Sequence, residues 1–346
     1  MLGASGYTGE EVVRLLSLHP TFTITALTGE SQAGKVRGVG AALLFLWGTV
    51  CSIHQAFSDV YPHLGRATSV PSLVKIADVD FDAVDAVFCC LPHGTTQATL
   101  ASLPSHVKIV DLSADFRLKD VQVYGEWYVR CCEISEHHAE MVFVLSRYGQ
   151  HQAPELQKEA VYGLTEINRD EVGYERNSPS YEKWCQTHHH HIPPQIRGAR
   201  LVANPGCYPT SVQLPLIPLL QAGLIASDDI VINSMSGVSG AGRSAKQNLL
   251  YTEIAESVNA YGITRHRHVP EIEQGLAEAC GKEVTVSFTP NLMPMSRGMQ
   301  STCYVKLSQG ASVDDLRASL AVRDPCFSYK FVGSSFVIAP HFTGSV

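Results

Sequence analysis

Gly3-Ala4-Ser5-Gly6-Tyr7-Thr8-Gly9 carries glycine at its first, fourth and seventh positions and runs straight into an apolar-periodic stretch. Glycines at this spacing permit a tight turn and let backbone N–H groups approach a pyrophosphate at a helix N-terminus. The helix that follows is expected to bury Val12, Val13, Leu15, Leu16 and Leu18. A strand over Phe22–Leu27 comes next, at the spacing of a nucleotide-binding unit. The strand ahead of the glycines is reduced to Met1-Leu2, so the middle strand of the expected sheet is nearly absent. Further short apolar runs at Ala83–Cys90, Val107–Leu112 and Ala199–Ala203 alternate with helix-like stretches, which predicts a parallel α/β sheet. After Pro205 the pattern changes to a helix over Pro209–Leu220 and strands at Ile230–Met235, Val284–Thr289 and Gln300–Leu307, the last two antiparallel candidates. The expected architecture is a Rossmann-type dinucleotide-binding domain over 1–206, an α+β domain over 207–324 and a divergent tail over 325–346.

Composition narrows the classes. With 45% hydrophobic and 17% charged residues, the 346-residue chain can bury a core and is not disordered. A net charge of −7 without a dense basic run gives no electrostatic footprint for nucleic acid. No apolar run approaches the roughly 18–20 residues of a membrane span. Ten cysteines are too sparse for a disulfide scaffold and fit a reduced compartment. No cleavable signal is expected at Met1, because the glycine-rich motif starts at once.

Leu201-Val202-Ala203-Asn204-Pro205-Gly206-Cys207-Tyr208-Pro209-Thr210 reads as strand, Pro-Gly turn and helix. Cys207 then stands at a helix N-terminus, where the dipole and free N–H groups favour a thiolate able to attack an acyl carbon. The competing reading is a small buried hydrophobe, and for Cys89 and Cys90, inside an apolar run, that reading wins. Thiol chemistry needs a proton donor and acceptor, which Arg265-His266-Arg267-His268 offers. Arg117, after the Val107–Leu112 run, is able to grip a carboxylate bidentately, with a surface ion pair as its alternative.

Eight strings occur in order: GASGYTG at 3–9, LPHGTTQ at 91–97, DLSADFRL at 111–118, AVYGLTE at 160–166, ANPGCYPT at 203–210, SGVSGAGR at 236–243, TRHRHVPEIEQ at 264–274 and PMSRGMQST at 294–302. Together they resemble the N-acetyl-gamma-glutamyl-phosphate reductase family, particularly its plant and algal forms. The resemblance implies NADPH-dependent reduction of an acyl phosphate to a semialdehyde in arginine biosynthesis, through a thioester on Cys207. It implies His266 as general acid/base, with His268 as second choice and as a substrate contact, and Arg117 on a substrate carboxylate. Gly3, Ser5, Gly6, Tyr7, Thr8 and Gly9 would hold the nucleotide, with Ser236 and Gly237 near the nicotinamide. Glu30, just beyond the second cofactor strand, favours a ribose 2′-hydroxyl, whereas Ser31 and Lys35 could bind a 2′-phosphate, so NADP rests on the resemblance. It further implies a homodimer or homotetramer and a plastid location, or a cytoplasmic one otherwise. Within enzymes the runner-up is an aspartate-semialdehyde dehydrogenase; from another class, an inactive remnant.

Three blocks have no counterpart in those strings: 36–55, 129–150 and 172–195. Each begins with valine, whose codons start GT, and can be ended at glutamine, one of whose codons ends AG. The expectation is that they are in-frame retained introns; continuous transcript reads across all three in the dominant message would defeat it. Within the third, Cys185 and His188-His189-His190-His191 suggest a metal site, but consecutive histidines diverge and no second ligand pair completes a tetrahedron, so no metal is expected. The family's returning C-terminal segment is expected to be missing beyond Arg323.

Overall fold

The computed structural model of the chain describes residues 1–30, 57–64, 70–129, 151–165, 167, 194–323, 327–332 and 335–340. Nearly all of the three unmatched blocks, with their cysteines and the histidine run, lie outside the described residues, as do Ser31 and Lys35.

The first half is a parallel sheet. Strands β3 (Ala86–Cys89), β4 (Lys108–Asp111), β6 (Leu201–Ala203) and β5 (Ala160–Tyr162) pair in that order, all parallel. A second parallel pair joins β1 (Leu27–Thr28) to β2 (Leu73–Val74). Met1-Leu2 stitches the two together. Leu2 forms a parallel bridge with Cys89, its N–H donating to Phe88 O at 2.9 Å, while Met1 O accepts from Thr28 N at 2.9 Å. Two residues thus occupy the middle of the sheet, because each offers backbone groups to a different neighbour.

The expected strand Phe22–Leu27 shrinks to Leu27–Thr28, since paired backbone begins only where Met1 and β2 lie alongside. The helix Tyr7–Ser17 buries Gly9, Glu10 and Val13, whereas Leu15 and Leu18 are 58% and 73% exposed. At 100° per residue Leu15 and Leu18 lie on the opposite side from Val13, so the expected apolar face was too wide.

The second half is a mixed four-stranded sheet in the order β10 (Met299–Tyr304), β7 (Ile230–Ser236), β9 (Val286–Leu292), β8 (Asn259–Ala260). β7 separates β9 and β10, pairing parallel with the first and antiparallel with the second, so those two strands are not partners of each other. Helices Cys207–Gln221 and Val269–Cys280 cover one face, where Val212, Leu216, Ile272 and Leu276 meet Ile230, Ile232 and Phe288. On the uncovered face Val231 and Tyr304 are exposed. The two helices approach closely at Gly275, where a Cβ would stand 2.6 Å from the Gln213 side chain. Phe327–Val332 and Ser335–Pro340 form a separate antiparallel hairpin. Among the described residues no helix is long and apolar enough to cross a membrane.

The opening turn is tightly constrained. Gly3 has φ +71°, and a Cβ there would meet Cys90 O at 2.6 Å; a Cβ on Gly9 would meet Gly3 O at 2.5 Å and Ala4 Cα at 2.7 Å. Those neighbours are backbone and cannot swing aside. Gly9→Ala is therefore expected to lower stability by about 1–3 kcal/mol through overpacking, read as a reduced urea midpoint.

Candidate active site

β6 ends at Ala203, and Pro205 cannot extend the ladder, so the chain turns through Asn204-Pro205-Gly206 into the helix that begins at Cys207. Gly206 is its N-cap, no side chain caps the first turn, Pro209 has no N–H to offer, and the leading N–H groups of Cys207 and Tyr208 turn to the Cys207 thiol. A Cβ on Gly206 would stand 2.7 Å from His268 Nε2, 2.9 Å from Arg117 Nη1 and 3.0 Å from Glu271 Oε2. Only glycine fits between them.

Cys207 opens onto the interdomain cleft, yet the walls around it desolvate the thiol. That burial pushes the thiol above its ordinary range, although the N–H groups of Tyr208 and of Cys207 itself, with Arg117, pull the other way. The helix terminus alone does not make this cysteine a standing thiolate. Cys89 is fully buried in β3, and burial pushes Cys90 up to about 12, so both are inert.

Glu271, fully buried, is the centre of the site. Its Oε1 accepts from Gly206 N at 2.7 Å and from Tyr162 OH at 2.8 Å, and its Oε2 faces Arg117 Nη1 at 3.5 Å. Arg117 in turn donates from Nε to Asn204 O at 2.8 Å and from Nη2 to Leu112 O at 2.9 Å. Burial works against the Arg117 charge, but Glu271, Tyr128, Tyr162 and Asp111 together outweigh it and hold the guanidinium pKa above its usual value. Among the described residues one N–H on each terminal nitrogen is left without a partner, and such donors suit a carboxylate. Gln213 Nε2 donates to Glu271 O at 2.8 Å, tying the two helices at this level.

The two histidines are adjacent but differently held. His268 N donates to His266 Nδ1 at 3.1 Å, which leaves the proton of a neutral His266 ring on Nε2. Burial, helped by Arg267, pushes His266 down to about 4. His268 is buried, its pKa is driven well down by desolvation and by His266, and its Nδ1 has no hydrogen-bond partner among the described residues. The His266 ring lies 4.9 Å from His268 and 5.5 Å from both Tyr208 and Tyr261, whose hydroxyls share a hydrogen bond of 2.8 Å.

The glycine-rich turn forms another wall of the same cleft. Gly3, Ser5, Gly6, Tyr7 and Thr8 line it, whereas Gly9 is buried against Gly3 and Ala4 and serves close packing of helix on strand. The helix N-cap, Gly6, has no side-chain cap, so the leading N–H groups and the close backbone of this cradle fit a pyrophosphate. Ser236 and Gly237 end β7 in the cleft; a Cβ on Gly237 would strike the Arg297 backbone at 2.9 Å. Glu30, at the end of β1, lines the cleft and accepts from Ile76 N at 2.8 Å.

Sequence reasoning missed several groups. Tyr162 and Glu271 stood inside quoted strings but carried no assigned role. Arg243 reaches from the second half to the glycine turn, donating to Ser5 O at 2.6 Å while lying 5.4 Å from the Tyr61 ring centroid. Arg297 likewise pairs with Glu10 and Glu11 of the first helix. Their position in SGVSGAGR and PMSRGMQST was the available signal; the partners, more than 200 residues distant in sequence, were not readable.

Two domain families match the chain. The semialdehyde dehydrogenase NAD binding domain matches residues 1–174, and the semialdehyde dehydrogenase dimerisation domain matches residues 207–323. The probable chloroplastic N-acetyl-gamma-glutamyl-phosphate reductase of Arabidopsis thaliana is 50% identical over 321 residues, covering 92% of this chain and 64% of the relative. The chain thus spans somewhat less than two thirds of that plant relative's length. N-acetyl-gamma-glutamyl-phosphate reductase of Rhodospirillum rubrum is 47% identical over 326 residues, covering 93% of this chain and 74% of the relative. In fold, aspartate semialdehyde dehydrogenase II of Vibrio cholerae superposes with a TM-score of 0.55 at 14% identity, covering 93% of this chain and 78% of that one. An NAD-binding domain, a dimerisation domain and this identity to full-length relatives mean that the chain belongs to the N-acetyl-gamma-glutamyl-phosphate reductase family of semialdehyde dehydrogenases.

Proposed function

We propose that the chain reduces N-acetyl-L-glutamyl 5-phosphate to N-acetyl-L-glutamate 5-semialdehyde with release of phosphate, in arginine biosynthesis. The observation that carries this reading is Cys207 opening into a cleft also lined by His266, His268 and a dinucleotide cradle. The dinucleotide, when bound, supplies the hydride. We assign it as NADP from family membership, since Glu30 by itself favours a ribose 2′-hydroxyl; the rate ratio of NADPH to NADH measures the choice. Gly3, Ser5, Gly6, Tyr7 and Thr8 would hold its pyrophosphate, with Ser236 and Gly237 beside its nicotinamide end.

Cys207 attacks the acyl carbon: a C–S bond forms, the C–O bond to phosphate breaks, and the thiol proton departs. His268, with Nε2 against Gly206, is suited to take that proton. His266, with its proton held on Nε2, is suited to donate to the carbonyl oxygen as negative charge grows there. Both rings are neutral near pH 7, the state a base and a neutral donor require. Arg117 offers its remaining N–H groups to a substrate carboxylate. A second copy of the chain covering the open face of the mixed sheet would give a homodimer, or a homotetramer from two such pairs, and the chloroplastic plant relatives point to a plastid location.

The test is phosphate-dependent, NADP-linked oxidation of the semialdehyde, run beside aspartate semialdehyde. Cys207→Ser is expected to remove all measurable rate, and preference for the aspartyl compound would sink the substrate assignment. Because the free thiol is pushed up, Cys207 alkylation by iodoacetamide is expected to keep rising through pH 9; a plateau near pH 7, read by mass spectrometry, would contradict a raised thiol. Glu271→Gln keeps the shape but removes the charge facing Arg117. Its expected cost is about 2–4 kcal/mol of stability, seen in urea unfolding, with kcat falling more than KM rises as the Gly206-Cys207 turn loosens.

A further inference from the structure

LPHGTTQ, at 91–97, is a motif to which the reaction above assigns nothing. Its loop leaves β3, and His93 lines the cleft with Cys207 and Arg267. Ala114 N–H donates to His93 Nδ1 at 2.8 Å, so the proton of the neutral ring sits on Nε2. Burial, then Arg267 and Arg117, push the His93 pKa down to about 3, and the ring stays neutral across the working range. The loop is anchored from behind: Gly94 N–H donates to both Asp115 carboxylate oxygens at 2.9 Å, and Tyr124 OH donates to Asp115 Oδ1 at 2.8 Å. Tyr128 joins this wall to the histidine segment. Its ring lies 6.2 Å from His93 and stacks on Tyr124 at 5.0 Å, and its hydroxyl donates to Arg267 O at 3.2 Å.

Arg267 is exposed in the cleft, and no carboxylate pairs with it among the described residues. It lies between His266 and His268 in the chain, its carbonyl accepts from the hydroxyl of Tyr128, whose ring adjoins His93, and its charge lowers the pKa of all three histidines. Glu271 does not compensate it, being engaged by Gly206, Tyr162 and Arg117. The buried His268 Nδ1, without a partner, is a second sign that this corner is built around a group from outside the chain. A fixed neutral N–H, a guanidinium with no carboxylate partner among the described residues and a thiol in one cleft suit an anion of several oxygens leaving the carbon that the thiol attacks.

We propose that His93 Nε2–H and the Arg267 guanidinium bind the phosphoryl group of the acyl phosphate, and inorganic phosphate in the reverse direction. This rests on the acyl-phosphate reading. As the C–O bond breaks, the electron pair passes to the bridging oxygen, and the two donors stabilise the charge that grows on the departing phosphate. The thiol proton taken up by His268 passes on to the departing phosphate, which leaves as hydrogen phosphate, so His268 is neutral again and no further reactant is needed.

The test uses the full chain, with inorganic phosphate as the probe. His93→Asn retains an oxygen near Nδ1 for Ala114 N–H but removes the Nε2 donor; Arg267→Leu removes the charge, and Arg267→Lys restores it without the fork. In the reverse assay, His93→Asn and Arg267→Leu are each expected to raise the KM for phosphate about tenfold or more, the loss of one charge-assisted hydrogen bond. The KM for the semialdehyde is expected to stay within about twofold, and Arg267→Lys to recover part of the loss. Independently of turnover, phosphate is expected to slow alkylation of Cys207 in the unsubstituted chain and to lose that protection in the two variants. Variants that melt like the parent yet keep both the phosphate KM and the protection would overturn the proposal. Protection without any turnover of the semialdehyde would leave the anion site standing and sink the substrate reading; turnover with neither effect would do the reverse.

Discussion

One buried carboxylate organises the cysteine-bearing half of this molecule. Glu271 has no exposed surface, so its carboxylate oxygens must be satisfied by protein, and the groups that satisfy them come from three distant stretches. Gly206 N–H brings the cysteine turn, Tyr162 OH the strand β5 and Arg117 the segment after β4, while Gln213 of the cysteine helix holds the Glu271 backbone carbonyl. A lost partner would leave a charge buried and uncompensated, far costlier than the pair is worth when intact. The position of the thiol is thereby coupled to the correct packing of both halves of the chain.

Around that carboxylate the electrostatics run against simple expectation. Cations crowd the histidines: Arg117 and Arg267 both lower His268 and His93, and desolvation lowers them first. The same desolvation raises the thiol. A protonated thiol beside neutral imidazoles is a coherent resting arrangement, because the proton has somewhere to go once an electrophile arrives and no stable ion pair has to be broken first.

The cleft exists because two independently layered units are pinned together at its rim. Arg243 on Ser5 and Arg297 on Glu10 and Glu11 cross from the mixed sheet to the glycine turn and its helix. These exposed contacts are individually weak. Their value is geometric, since they hold the end of β7 against the cradle, where a nicotinamide would have to meet the thiol.

Local chemistry was legible in the residues. Glycine spacing announced a backbone cradle, the Pro-Gly-Cys turn announced a helix starting at a thiol, and alternating short apolar runs announced a parallel sheet, because each depends only on neighbours in sequence. What depended on distant backbone was not. Met1-Leu2 read as a nearly absent middle strand, yet it joins β1 to β3, since hydrogen-bonding partners on both sides and not strand length decide membership of a sheet. Val284–Thr289 and Gln300–Leu307 read as antiparallel candidates, and each has an antiparallel neighbour, but only folding showed β7 between them. Glu271 sat in plain view in a quoted motif, but a carboxylate declares itself a keystone only when burial strips it of water and the chain brings Gly206, Tyr162 and Arg117 to it.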